Sequence, residues 1–311
     1  MSSVVFGVGA SHTTLMNTKW DEVDHLDRAH AFRDGLATAK AALTEAEPDL
    51  IVIVGTNHFR GFWLDLMPSL TIGVGEVVAA GEHGTPSGPQ PVDPEAAVAL
   101  CNHVMAADFD LTFSLRLQVD HGISHAIQYL VPDGTPTVPV VINVFAPPLP
   151  SLRRCLSLGH HLRAAIEALP GDRRVAVVGT GGLSHQLPFP DWRSPQSDDD
   201  EFLVESWLNG RGDWQQYEQR RRALIVGSPP EINEDFDRGF LARLEAGSLA
   251  GFPDDVSDGQ LVELAGNGGN EARPWLAMAA ACGHRRFDTV AYSPMAEWLT
   301  GMAVSMTTDA S

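Results

Sequence analysis

The chain has 311 residues, of which 44% are hydrophobic, so its length allows one large α/β domain or two smaller ones with a substantial core. A formal net charge of −19 argues against a nucleic-acid partner, whose phosphates would be repelled, and against anionic membrane surfaces. Three well-separated cysteines (Cys101, Cys155 and Cys282) form no CxxC, which speaks for reduced, partly buried thiols rather than a disulfide framework or a sulfur-ligated metal.

The opening "MSSVVFGVGASH" has neither the basic flank nor the long apolar stretch of a secretory leader, and no apolar run approaches membrane-spanning length. A cytoplasmic globular protein is the expectation. "VVFGVGA" predicts a buried strand, and residues 19 to 47, with Leu, Ala and Phe at helical spacing, predict one long helix or two. "DLIVIVG" at 49 to 55 is the continuous apolar run of a parallel strand covered on both faces. "WLDLMPSLTIGVG" predicts an edge strand or hairpin interrupted by Pro68, followed by the Gly/Pro-rich loop "GEHGTPSGPQPVDP". A helix from about Pro94 to Ala107, a strand through "LTFSLRLQV", a strand at "TVPVVINVF", a helix over 151 to 169 and a strand at "RRVAVVGTGG" complete the alternation.

Past Pro190 an acidic "SDDDEFLVESWL" opens a mostly helical region that reaches about Cys282, with "RFDTVAYSP" as a last strand. The fold class expected is therefore α/β: a central, mostly parallel sheet with helices on both faces. Residues 190 to 282 cap that sheet, and the whole of 1 to 311 forms a single catalytic domain.

Twelve histidines are present, and four share a pattern. His12, His58, His121 and His185 each follow an apolar run by a few residues: "VVFGVGASH", "LIVIVGTNH", "LRLQVDH" and "VAVVGTGGLSH". If those runs are parallel strands, four imidazoles emerge at the carboxyl edge of one sheet, the edge where α/β proteins bind ligands. Spacing alone does not say which of them hold a metal. His25, His30, His103, His160 and His161 fall in predicted helices among polar neighbours, as solvated surface residues do. His83 and His284 have no partner visible in the sequence. "GVGASH" and "GTGGLSH" each carry G-x-G after a strand, but neither completes the dinucleotide fingerprint, so tight turns are the stronger reading. "RGD" at 211 to 213 is a chance occurrence.

"NHFRGFWLDLMPSLTIGVG", "QVDHG", "GTGGLSHQLP" and "AGNGGNEARPW", in that order along most of the chain, resemble the class III extradiol ring-cleaving dioxygenases. That superfamily contains the protocatechuate 4,5-dioxygenase catalytic subunit, and the branch nearest in look is that of the 2,3-dihydroxyphenylpropionate 1,2-dioxygenases. The resemblance implies that His12 and His58 bind Fe(II) with Glu271 as the carboxylate ligand, that His185 is the catalytic base and that His121 is the acid. A two-histidine, one-carboxylate set holds iron on one face and leaves adjacent positions open, which a catechol's two oxygens and dioxygen require. Glu271 is found only through the motif; its glycine-rich lead suggests a backbone passing close to something.

With His12 and His58 as the implied metal pair, "HGISH" is expected to be one working histidine beside an incidental one. Gly122 permits a sharp turn after His121, which puts His121 at the strand end and His125 about one turn into the next helix. Asp120 orients a histidine, contacts substrate or makes an ordinary loop-end hydrogen bond. Two positions depart from the family pattern: "SHTTL" replaces the serine-proline associated with the first histidine, and Arg60 stands in place of a smaller polar residue. Arg60 either pairs with a substrate carboxylate or lies at the surface, the latter being the simpler expectation. The leading reading is an Fe(II)-dependent dioxygenase that opens a substituted catechol with O2, in a homo-oligomer. The rivals are a zinc hydrolase or other non-oxidative enzyme on the same triad, and a non-catalytic binding protein of the same fold.

Overall fold

A computed structural model describes residues 1–308. Along the chain run β1 (Ser3–Ala10), α1 (Thr14–Thr18), α2 (Leu26–Glu45), β2 (Leu50–Thr56), β3 (Leu70–Ala80), β4 (Ser87–Pro89), α3 (Pro94–Ala106), β5 (Thr112–Val119), α4 (His121–Tyr129), β6 (Thr137–Ile142), α5 (Leu152–Glu167) and β7 (Arg174–Thr180). The C-terminal part adds α6 (Asp198–Asn209), α7 (Gln215–Val226), α8 (Glu234–Glu245), α9 (Phe252–Asp255), α10 (Asp258–Ala265), α11 (Ala272–Ala281), β8 (Phe287–Met295) and β9 (Thr300–Thr307).

The strands join in one sheet ordered β4-β3-β6-β2-β7-β1-β9-β8, with β5 paired to β3 off this path. Its centre, β6-β2-β7-β1, is parallel. The apolar runs explain why the centre is covered on both sides. In β2, Leu50, Val52 and Val54 join the core beneath α3, α5 and α11, while Ile51 and Ile53 join the opposite core with α2 and α4. Alternation across a pleated strand does this automatically when every residue is apolar. Helix starts are set by local chemistry: Asp93 accepts from the Ala96 N–H with Pro94 in the first turn, and Ser151 accepts from the Arg154 N–H.

The α/β class expected from the sequence is the class observed, with four differences in detail. The strand after Pro68 is not at an edge: β3 starts at Leu70 and pairs with β6, β4 and β5. β5 is parallel to β3, which is antiparallel to β6, so the strand before His121 does not run parallel to the other three histidine-bearing strands. The chain's last described strand is β9, which inserts antiparallel between β1 and β8. Finally, α11 is no part of a cap. Its residues are buried throughout and it packs on α5, β7 and β1, completing the layer over one sheet face. Among the described residues no helix is long and apolar enough to cross a membrane.

Candidate active site

The ends of β1, β2 and β7 deliver His12, His58 and His185 to one pocket, and α4 delivers His121 to it. Glu271 reaches the same point from the turn just before α11. His12 Nε2 and His58 Nε2 lie 3.1 and 3.2 Å from a single atom, Glu271 Oε1. All three residues are buried, Glu271 to 1% exposure.

What holds each ring fixes which nitrogen is free. His58 Nδ1 is 3.2 Å from Asp120 Oδ1, and the His58 backbone N–H donates to the other Asp120 oxygen. His12 Nδ1 is 2.7 Å from Thr180 Oγ1. An imidazole whose Nδ1–H is engaged this way presents Nε2 as a lone pair, the arrangement usual for metal-binding histidines. Glu271 is itself braced, accepting from Thr56 Oγ1 at 2.8 Å and from the Gly182 N–H at 2.7 Å. Burial opposes its ionisation, but the positive charge available on His12 and His58 outweighs this and keeps the carboxyl well below its usual range. Burial also opposes charge on His58; Asp120 and Glu271 overcome it and raise the ring to about 10.

A buried carboxylate oxygen facing two imidazole nitrogens needs a cation between them, either a proton or a metal ion. His12 Nε2 has no hydrogen-bond partner in acceptable geometry, although it is 3.1 Å from the carboxylate. The donor set, two imidazoles and one carboxylate with their outer atoms already engaged, fits a divalent transition metal.

His121 sits closer to this centre than a purely peripheral acid. Its ring stacks on that of His58 with centroids 3.9 Å apart, and ligand atoms of His12, His58 and His121 lie within 4.8 Å of one another. Its Nδ1 is 2.7 Å from Glu82 Oε1, which also accepts from the His121 backbone N–H. Burial, then the neighbouring His58 charge, depresses its pKa well below the ordinary value, so the ring is neutral. His185 donates from Nδ1 to the Leu183 carbonyl at 2.8 Å, leaving Nε2 as an acceptor 3.8 Å from Glu271 Oε2. Burial lowers its pKa as well.

The glycines around the site are spacers. A Cβ on Gly182 would approach the His185 ring and Glu271 Oε2, and one on Gly268 would strike the His185 ring. The lead "AGNGG" thus passes close to His185. Of the glycines of "GTGG", Gly181 and Gly182 make room for Glu271, and Gly179 makes room for Met278 and the Pro274 carbonyl.

Several assignments from sequence change. Arg60 is not a surface residue: it is buried, 3.2 Å from Glu82 Oε2 and 2.5 Å from Glu218 Oε2, with its guanidinium 4.1 Å over the Trp214 ring. Asp120 orients His58 rather than its neighbour His121, and it also caps α4 through the Gly122 N–H. His83 does have a partner, Glu218 Oε1 at 2.8 Å, and His284 lies 3.0 Å from His160. His121 is the first residue of α4, so it and His125 share a helix after all, with ring centroids 5.8 Å apart. Yet His125 lines a separate small cavity with Met16, Leu36 and Thr180, and neither of its ring nitrogens has a partner.

Glu82, Thr180 and Glu218 were not singled out from sequence. Nothing local marks them, because their roles come from partners far away in the chain.

Residues 7–303 match the family described as the catalytic LigB subunit of aromatic ring-opening dioxygenase. The chain is 34% identical over 306 residues to a 2,3-dihydroxyphenylpropionate/2,3-dihydroxicinnamic acid 1,2-dioxygenase of Rhodococcus jostii strain RHA1, covering 95% of each. A protein of the same name from Klebsiella pneumoniae is 31% identical over 316 residues, with 96% of this chain and 97% of that one covered.

Proposed function

Since this chain belongs to the LigB family of aromatic ring-opening dioxygenases, we propose that it is an Fe(II)-dependent extradiol enzyme that cleaves a substituted catechol beside its two hydroxyls. In this reading His12, His58 and Glu271 hold the iron. The observation that carries it is the convergence of His12 Nε2 and His58 Nε2 on Glu271 Oε1, at 3.1 and 3.2 Å, with the outer nitrogens held by Thr180 and Asp120.

Iron held there would bring the diol oxygens and dioxygen together and carry electrons between them. The chain's own groups manage the protons. His185 is neutral, with its Nδ1–H committed to the Leu183 carbonyl, so its Nε2 accepts a proton from a diol hydroxyl. His121 is also neutral at rest and becomes an acid only after gaining a proton. Glu82, against its Nδ1, stabilises the imidazolium it then forms and orients the ring. Leu187, Phe189 and Trp298 line the pocket and offer apolar surface to an aromatic ring.

A second reading rests on one observation, the grouping of His12, His58 and His121 within 4.8 Å, which is the donor type of three-histidine zinc sites. The shared contact of Glu271 with His12 and His58 favours the iron reading. The test is anaerobic reconstitution with Fe(II) or Zn(II), followed by a panel of substituted catechols. The iron form is expected to consume one O2 per catechol and give a yellow ring-opened product, and the zinc form to do neither. Oxygen-independent turnover by the zinc form alone would overturn the proposal.

A further inference from the structure

Between His185 and the buried acid Asp237 stands a single peptide group. Asp237 lies on α8 with no exposed surface, and its Oδ1 accepts from the Ser184 N–H at 2.8 Å. The carbonyl of that same peptide, Leu183 O, accepts from His185 Nδ1 at 2.8 Å. Carboxylate, peptide and imidazole thus form one chain of hydrogen bonds, with His185 Nε2 at its pocket end.

The rest of the segment shows what Asp237 adds. The Leu183 N–H donates to the Gly301 carbonyl, and the Ser184 carbonyl accepts from the Gly301 N–H. The His185 N–H donates to Ala265 O, and the His185 carbonyl accepts from the Gly268 N–H. Every backbone group of 183–185 is therefore answered by another backbone group or by the His185 ring, except the Ser184 N–H. Asp237 answers that one, and without it a buried N–H would be orphaned in the peptide that fixes the ring. Strand β9 makes room for the acid: a Cβ on Gly301 would strike Asp237 Oδ2.

No cation takes up the charge. The Tyr292 hydroxyl donates to Asp237 Oδ2 at 2.9 Å, and among the described residues no ion pair reaches Asp237, its neighbour Arg238 pairing with Glu234. Burial pushes the Asp237 acid up to about 6, against the pull of Ser184 and Tyr292, so it is mostly ionised at neutral pH. A negative charge at the N–H end of a peptide polarises its carbonyl end, because hydrogen bonds in a chain strengthen one another. A stronger acceptor at Leu183 O favours the proton on Nδ1 and lends Nε2 basicity, as a carboxylate touching a histidine does directly.

We propose that Asp237 is the positioning residue of the base: through the Leu183–Ser184 peptide it holds the His185 proton on Nδ1 and keeps Nε2 free toward the pocket. This rests on the reading of His185 as the base of ring opening.

The test is a mutant cycle on the Fe(II)-loaded protein, with the best substrate of the catechol panel. Asp237→Asn keeps an oxygen for the Ser184 N–H but removes the charge, and should lower kcat about 3- to 10-fold with KM and iron content unchanged. Asp237→Ala orphans the N–H and should lose on the order of 10- to 100-fold in kcat. In a His185→Ala background Asp237→Asn should change kcat by less than roughly twofold, because the residue through which it acts is gone. A readout without turnover is the nitrogen NMR spectrum of isotope-labelled histidines in protein loaded with diamagnetic Zn(II). His185 should carry its proton on Nδ1 in the parent and share it between both nitrogens in Asp237→Ala. The same fold-loss in both backgrounds, or a His185 spectrum indifferent to Asp237→Ala, overturns the proposal. If the parent opens catechols and the spectrum does not move, only the role of Asp237 fails. If no catechol is opened but the spectrum follows Asp237, the positioning stands and the ring-opening reading fails. Should Asp237→Ala not fold, as judged by its thermal melt, the near-isosteric Asp237→Asn decides through the cycle and the same spectrum.

Discussion

His121 and His125 sit one turn apart on the same short helix, the first half-buried and the second buried, yet their surroundings could hardly differ more. His121 has a carboxylate on its Nδ1 and two other histidines within metal-sharing distance of it. His125 faces a small cavity in the adjoining core, and both its nitrogens are orphaned. Desolvation is the first cause lowering the pKa of each, so charge state does not separate them. The partner does. An imidazole exchanges protons readily when a partner in contact with it stabilises its charged form, and Glu82 touches the His121 ring while both ring nitrogens of His125 lack a partner. The same rule covers the other pocket histidines: Asp120 holds His58, Thr180 holds His12 and the Leu183 carbonyl holds His185.

That contrast can be broken by substitution. The largest effect is expected from removing a partnered ring off the implied metal set. His185→Ala and His121→Ala should each lose on the order of 10²–10⁴-fold in kcat while retaining iron. Metal loss in either variant would move that histidine among the ligands, and for His121 it would favour the three-histidine site. Next comes the partner itself. Asp120→Asn keeps the cap on α4 but weakens the grip on His58 Nδ1, and iron affinity measured by competition with a chelator should fall about 10- to 100-fold. Unchanged affinity would mean that the Asp120 contact is only a helix cap. The smallest effect belongs to the unpartnered ring. His125→Ala should stay within a few-fold of the parent in turnover, roughly the scale of an indirect effect. A fall as deep as that of His121→Ala would make "HGISH" a functional pair.

The central strands were legible because β2, β6 and β7 are continuous apolar runs, a pattern that a strand covered on both faces enforces. His12, His58 and His185 were found by their positions just beyond such runs. The direction of β5 was not legible, since an apolar pattern records that a strand is buried and not which way it runs. β9 was missed because "TGMAVSMT" follows a tight turn through Leu299, whose φ is 62°, and is too rich in small residues to stand out. Glu82 was hidden for another reason: an acid in a Gly/Pro-rich loop looks solvated until His121 and Arg60 are seen around it. Arg60 was misjudged in the same way, because its burial depends on Glu218 and Trp214 from α7 and its start, more than 150 residues away.

The central claim, that Glu271 completes an iron site with His12 and His58, is tested most directly by the iron content of Glu271→Gln. The variant and its parent would be loaded anaerobically with Fe(II), desalted and analysed for metal per chain, with catechol turnover measured on the same samples. Replacing the anionic oxygen by a neutral amide should leave the parent near one iron per chain and the variant largely stripped, with turnover lost in proportion. Full iron and full turnover in Glu271→Gln would contradict the account.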